Sequence, residues 1–401
     1  MEIEEAVKLI TDEVSQITEE EWVSIEDACG RIISRDIRSA DAVPSFPRSA
    51  MDGYGVFSED VKNASKEDPV LLKVKEEISA GDFSRSSYSP GTAVRVMTGA
   101  MIPEGYDAVV KQEDTDYGEE TVSIYSPVKS HGNYCLVGEE IKAGETVIKA
   151  GRRIGRTETG LLVSVGLTKV PVRRPARVAL ISTGSELADP CEELRPGQIY
   201  NSILYMLLAS IKHEGLEAGL SKTVPDDMDM IKDSIEEAAE TSDVIITTGG
   251  VSVGKKDLIP EVLQKLGAGT VFRGVNIQPG TPTMGSIYRN KVILSLSGNP
   301  FAALACFDLY FWPVISKLMG NESYTPKVYD AVLSQNYEKI NKMRRLVRAK
   351  EECGSVSLPV SEHMSSVFGN TSLCNCYIDV PAGNSLAMGD TVTVRKMKES
   401  F

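Results

Sequence analysis

Paired cysteines, histidine clusters and long basic runs are all missing from this 401-residue chain. The seven cysteines, at positions 29, 135, 191, 306, 353, 374 and 376, include no CxxC pair. The three histidines, His131, His213 and His363, lie far apart. This pattern gives a Cys/His zinc site little support and reads as reduced thiols in a cytoplasmic protein. Excess positive charge is lacking too. Against 57 acidic residues stand 43 basic ones, a net charge of −14, which argues against nucleic-acid binding. The start, Met1-Glu2-Ile3-Glu4-Glu5, has neither the basic region nor the apolar core of a signal peptide. One apolar run, Phe301 to Leu318, approaches the length of a membrane span. Asp308 and Pro313 interrupt it, so a helix buried in the fold is expected and no membrane role. There is no fixed-period repeat and no low-complexity segment.

What is present is ordinary globular material: 42% hydrophobic and 25% charged residues. The length exceeds one comfortable core and implies about two to four domains. Ile3, Ala6, Val7, Ile10, Val14 and Ile17 fall at helical spacing and predict one amphipathic helix over residues 3–17. Residues 70–135 read as short strands broken by Gly, Pro and Asn turns, a small β domain. From Arg177 strands and helices alternate. Strands are expected at Val178–Ser182, Glu217–Val224, Val244–Thr248, Val271–Ile277 and Val292–Leu296. Helices are expected at Asn201–His213, Asp227–Glu240, Asp257–Leu266 and Pro300–Leu318. Such alternation indicates a mostly parallel sheet covered on both faces. After Asn321 short strands return, and a small β-barrel or sandwich closes the chain.

The strongest local signal is the turn Thr248-Gly-Gly-Val-Ser-Val-Gly254, between an apolar strand and a helix expected near Asp257. Glycines let the backbone approach an oxyanion, and the free N–H groups of the turn attract it. The spacing fits neither a Walker loop nor a dinucleotide fingerprint. Two similar turns follow other strands: Ser182-Thr-Gly-Ser-Glu186 and Ser297-Gly-Asn-Pro300. Ligands of parallel sheets bind beyond the carboxyl ends of the strands, where such turns gather. Carboxylates lie close by: Glu186, Asp226 with Asp227, and Asp257. As hard oxygen ligands they suit Mg²⁺ bound beside a phosphate. Helix capping is the competing account of Asp226, Asp257 and Asn299.

Six segments, in content and order, resemble the MoeA family of molybdopterin molybdenumtransferases, which is related to the C-terminal half of gephyrin. They are Arg48-Ser-Ala-Met-Asp-Gly-Tyr54, Ala93-Val-Arg-Val-Met-Thr-Gly-Ala100, Ile181-Ser-Thr-Gly-Ser-Glu-Leu187, Gly197-Gln-Ile-Tyr-Asn201, Thr248–Gly254 and Ser297–Pro300. The resemblance runs over essentially the whole chain. It implies a multidomain α/β plus β protein in four parts: an elongated helical N-terminal and dimerisation part from 1–40 with 136–172, an inserted β domain over 41–135, an α/β molybdopterin-binding domain over 173–319, and a C-terminal barrel over 320–401. It further implies a homodimer that inserts molybdate or tungstate into adenylylated molybdopterin, releasing AMP with the help of Mg²⁺. Molybdopterin adenylyltransferase, apo-molybdoenzymes and their chaperones are the implied protein partners.

Carried over residue by residue, the resemblance gives catalytic roles to Asp52, Thr98, Glu186, Asp226 and Asp257, the last three also as metal ligands. It assigns ligand contacts to Ser182, Thr183, Gly184, Thr248, Gly249, Gly250, Ser252, Gly254, Pro279, Gly280, Ser297, Gly298, Asn299, Pro300, Arg344 and Ser365, with Arg345 or Arg348 as alternatives to Arg344. The chain also departs from the family. Gln278 and Thr281 stand where lysines are common, Ser185 where Asp is usual, and Ser297 where Pro is usual. Arg273, Lys255 and Lys256 are candidates to replace the missing positive charge. These losses keep two alternatives open: a noncatalytic molybdopterin carrier, and an adenylyltransferase resembling the α/β domain alone.

Overall fold

The structure, a computed structural model, describes residues 1–84, 86–252, 257–359 and 368–398. Its centre is a six-stranded sheet in the order Glu217–Val224, Arg177–Thr183, Val244–Thr248, Lys291–Leu296, Met284–Tyr288, Gly269–Arg273. The first four strands are parallel, in a register that places Leu180, Ile246 and Leu294 side by side. The last two are antiparallel. The Met284–Tyr288 strand escapes the sequence reading because Met284-Gly-Ser-Ile-Tyr288 is short and contains a glycine, which weakens strand character. The expected strand over 271–277 divides. Gly269–Arg273 stays in this sheet, and Ile277–Gln278 pairs instead with Arg344 and Arg345 of the C-terminal region.

Helices cover both sheet faces. Ile231, Ile235 and Ala238 of the Met228–Thr241 helix pack on one face with Ile259 and Val262 of the Ile259–Lys265 helix. The other face holds the Ser202–His213 helix and the apolar run 300–319. That run, the one described helix long and apolar enough to cross a membrane, is buried here among core side chains. It is helical throughout, but with a π turn at Phe307–Phe311 between α-helices Pro300–Cys306 and Trp312–Met319. A proline has no N–H to give and clashes with the turn before it, so the widened turn lets Pro313 sit in the first turn of the second helix.

The first helix ends at Asp12, earlier than its apolar spacing suggests. Thr11 turns its hydroxyl back onto the Val7 carbonyl, and the chain continues without helix, with the Ile17 amide on the Leu318 carbonyl. Val14 and Ile17, outside the helix, still reach the core and join Ile3, Ala6 and Ile10 against the α/β core. The remaining N-terminal segment packs elsewhere. Glu20–Ser24 pairs with Lys169–Arg173, Ile37–Arg38 with Thr146–Ile148, and Ile33, Ile148, Leu162 and Val172 share a separate cluster.

Inserted between those segments, a five-stranded sheet runs in the order Ala108–Lys111, Gly53–Val56, Thr92–Val96, Val70–Ile78, Thr121–Ile124. Beyond the α/β sheet, Arg344–Glu352, Ser355–Ser357, Val328–Leu333, Thr391–Lys396 and Cys376–Val380 form a ring. The last strand pairs back onto the first, closing a five-stranded barrel. Closure leaves that small sheet without an open edge.

Candidate functional site at the strand ends

A pocket of about 330 Å³ lies at the carboxyl ends of the parallel strands. The three turns singled out by sequence meet there. Thr183 and Gly184 come from the first, Thr248, Gly249 and Gly250 from the second, and Gly298 and Pro300 from the third. Gly249 and Gly250 adopt left-handed φ values of 86° and 62°, and a Cβ on Gly249 would collide with the Thr183 carbonyl. Only glycine allows the turns to close this tightly, leaving backbone as the pocket wall. Ser182 lies beneath, its hydroxyl accepting from Thr248 Oγ1 at 2.9 Å. Ser297 accepts from the Asn299 amide at 3.2 Å, and Asn299 caps the following helix by accepting from Ala302 N. Those three residues build the turns rather than line the pocket.

The capping account of the carboxylates separates at neighbouring residues. Asp227 caps the Met228–Thr241 helix, accepting from the Met230 amide at 2.9 Å. Asp226 instead lines the pocket and accepts from the Ser185 amide and hydroxyl at 3.3 and 3.2 Å. Ser185 thus fixes the Asp226 carboxylate with both its amide and its hydroxyl. Asp257 does not cap the next helix either. Leu258 holds the cap position without a side-chain bond, and Asp257 lines the pocket. Glu186 completes the set, its carboxylate packed over Gly184.

The resemblance implies Mg²⁺ at these acids. Among the described residues no three His, Cys, Asp or Glu side chains stand close enough together to hold an ion. The donor chemistry suits a hard cation, but the ligand set is incomplete without oxygens from a bound phosphate.

Other residues named from sequence lie apart from the pocket. Asp52 and Thr98 do meet, on the five-stranded sheet: the Thr98 amide and hydroxyl both donate to Asp52 Oδ1 at 2.7 Å. These two bonds hold the Asp52 carboxyl below the usual range. Pro279 and Gly280 form a turn packed on Cys306, whose buried thiol is pushed up to about 12. Arg344 is drawn into ion pairs with Asp379 and Glu4 at 2.6 and 2.8 Å. Arg345 and Arg348 are buried, Arg348 stacked 4.1 Å from the Phe301 ring centre. Thr281 closes its own turn, donating to the Ile277 carbonyl. Arg273 ends the sheet's antiparallel edge strand and does not line the pocket. Ser252 is described but is not part of the lining, whereas Gly254, Lys255, Lys256 and Ser365 fall outside the described residues.

Sequence reasoning missed the apolar part of the lining, made by Leu187, Ile199, Tyr200 and Ile203. Gly197-Gln-Ile-Tyr-Asn201 was recognised as a motif, but its apolar pair was not assigned a place at the site. The usable signal was two large apolar residues directly before a helix-capping Asn.

Two family models cover most of the chain. The MoeA N-terminal region (domain I and II) matches residues 1–166, and the probable molybdopterin binding domain matches residues 179–317. The molybdopterin molybdenumtransferase of Staphylococcus epidermidis is 36% identical over 387 residues, 95% of this chain and 91% of that protein. Its Staphylococcus aureus counterpart is 34% identical over 396 residues, 98% of this chain and 94% of that one. A solved molybdopterin biosynthesis MoeA structure from Pyrococcus horikoshii is 31% identical, with a TM-score of 0.87 over 100% of both chains. With the fold, the three turns and relatives of this likeness all in agreement, the chain belongs to the MoeA family.

Proposed function

We propose that this protein is a molybdopterin molybdenumtransferase of molybdenum cofactor biosynthesis, inserting molybdate or tungstate into adenylylated molybdopterin and releasing AMP. The observation that carries the reading is the convergence of three Gly/hydroxyl turns and three carboxylates in one strand-end pocket. Backbone N–H groups of the turns hold the ligand's phosphates, as helix and turn starts do generally. Glu186, Asp226 and Asp257 are the Mg²⁺ ligands of this reading; among the described residues no three such side chains are gathered closely enough to hold the ion by themselves, so oxygens of the bound phosphates would complete its shell. The ion would neutralise charge on the pyrophosphate as the bond to AMP breaks. Ser185 keeps Asp226 turned inward. Asp52, oriented by Thr98, closes the site from a second subunit of a homodimer, which puts the charge of one sheet against the pocket of the other. The division into 1–40 with 136–172, 41–135, 173–319 and 320–401 belongs to the same reading, as do a cytoplasmic setting and hand-over to apo-molybdoenzymes.

One observation favours the carrier alternative: among the described residues no Lys or Arg lines the pocket. Purified protein supplied with adenylylated molybdopterin, Mg²⁺ and molybdate or tungstate, and in a parallel assay with molybdopterin, Mg²⁺ and ATP, separates the readings. AMP release that depends on the oxyanion is the expected result. Tight binding without turnover would establish a carrier, and adenylylation from ATP would establish an adenylyltransferase.

A further inference from the structure

Two helices begin at the pocket, run away from it, and end at one joint. Ser202 and Ile203 open the Ser202–His213 helix and line the pocket. Pro300 also lines it and opens the helical run that ends at Met319. At the rise of an α-helix, those ends lie about 18 and 30 Å from the starts. A helix end leaves carbonyls without partners and carries partial negative charge, so cations gather there. Glu214, at the C-cap of the first helix, adds a carboxylate that is 8% exposed.

Three parts of the chain close on that carboxylate. Arg153, from the separately packed N-terminal segments, donates to Glu214 Oε2 at 2.9 Å and to the Glu214 carbonyl at 3.4 Å. The same guanidinium donates to the Gly30 carbonyl at 3.1 Å. Those two segments are already tied together, the Gly30 amide donating to the Ile154 carbonyl and the Ile154 amide to the Arg31 carbonyl. Lys398, two residues beyond the Thr391–Lys396 strand, stands 3.3 Å from Glu214 Oε1 and donates to the Ser323 carbonyl at 2.8 Å. The buried Tyr324 ring packs against both cations, 5.1 Å from the Arg153 guanidinium and 5.8 Å from the Lys398 ammonium. Beside it, Asn321 donates to the Gly151 carbonyl at 2.7 Å, and Arg173 donates to the Met319 carbonyl.

We infer that Glu214 is a positioning residue for the reaction. Its clamp with Arg153 and Lys398 fixes the N-terminal segments, and through them the sheet bearing Asp52 and Thr98, against the two helices that carry the pocket. The inference rests on the function proposed above, in which Asp52 closes the pocket of a second subunit. The inserted sheet is entered and left through Arg48–Ser49 and Tyr134–Cys135, which pair with each other, so its placement follows that of the flanking segments. Because both helices start at the pocket, the N-terminal segments are referenced to the pocket through rigid rods rather than loops. Removing the acid would leave Arg153 and Lys398 as like charges beside one ring. A misplacement of about 1 Å, even one made far from the chemistry, can cost about a hundredfold in rate.

The test measures AMP release, AMP binding and thermal melts for the full chain as wild type, Glu214→Gln, Arg153→Lys, Asp52→Ala, and Glu214→Gln combined with Asp52→Ala. Glu214→Gln is expected to lower kcat about tenfold or more, with KM and AMP affinity within about twofold of wild type. Arg153→Lys keeps a charge beside Glu214 but loses the forked grip on Gly30 and Glu214 together. It should lower kcat in the same way, including where Glu214→Gln folds poorly. In the Asp52→Ala background, Glu214→Gln should cost nothing further, because the group it places is already gone. A simple brace would lower the melting temperature and leave kcat as in wild type, and that result in either folded variant would overturn the inference. A full additional loss in the combined variant would overturn it too, as would a loss confined to AMP affinity. Wild type that turns over beside unchanged variants would sink the inference alone, whereas wild type that releases no AMP would sink it together with the reading it rests on.

Discussion

In the seam between the first helix and the barrel, Arg344 and Arg395 meet Glu4 and Asp379 at 2.6 to 3.1 Å. In the strand-end pocket, Glu186, Asp226 and Asp257 line a space with no basic side chain among its described residues. Both regions are rich in charge, yet they do opposite work. The seam satisfies its charges within the chain, and so ties the Ile3–Asp12 helix to the barrel. The pocket sets its acids beside glycine turns on the lining of a space at the strand ends, and so is the region placed to bind. In sequence the two look alike, and only their places in the fold tell them apart.

The largest expected effect lies in the pocket wall. Gly249→Val places a side chain against the Thr183 carbonyl in a left-handed backbone, and should cut AMP release by about a hundredfold or more. Near-normal kcat/KM in that variant would remove the turn from the site. Next comes Asp52→Ala, expected to slow AMP release roughly tenfold to a hundredfold while AMP affinity of the isolated pocket holds. Weakened AMP binding would place Asp52 in the pocket's own subunit geometry instead.

The seam predicts the reverse pattern. Arg344→Ala should lower unfolding stability by about 1–3 kcal/mol, leaving the buried Asp379 carboxylate with Arg395 alone, and should leave kcat unchanged. A kinetic defect at full stability would return Arg344 to the ligand site. The seam also sets an acid response. Hydrogen bonding to Arg344 lowers the Glu4 carboxyl from 4.5 to about 2. Its folded value lies below its unfolded one, so its stabilisation is present above pH 4.5 and is lost as pH falls toward 2. Denaturant midpoints for wild type and Arg344→Ala should converge as pH falls through that window.

The smallest effect belongs to the sheet beneath the pocket. The Thr247 hydroxyl is fully buried and has no hydrogen-bond partner among the described residues, so Thr247→Val should change stability by about 1 kcal/mol or less, in the stabilising direction. A large loss would mean that the hydroxyl has a partner in solution, such as a buried water.

The α/β elements were legible because their apolar residues carry clear periods. Glu217–Val224 and Val244–Thr248 match their expected bounds at both ends. The site's backbone half was legible for a related reason: glycine and hydroxyl turns at strand ends have few other uses. Failures arose where sequence spacing cannot report a partner. Val14 and Ile17 are buried at helical spacing without being helical. Asp226 and Asp227 are chemically identical neighbours, and only the hydrogen bonds to Ser185 and Met230 assign pocket and cap. Arg344, expected at the ligand, pairs with Glu4, a partner 340 residues earlier that spacing cannot report. The apolar lining at Ile199 and Tyr200 carries no charge and so stood out least.

The most direct measurement is AMP release from adenylylated molybdopterin by Asp257→Asn beside wild type, with molybdate and Mg²⁺ titrated and folding checked by thermal melt. The account predicts oxyanion-dependent release by wild type, and an Asp257→Asn protein that melts normally but releases AMP at least about a hundredfold more slowly. Full activity in that folded variant would contradict it.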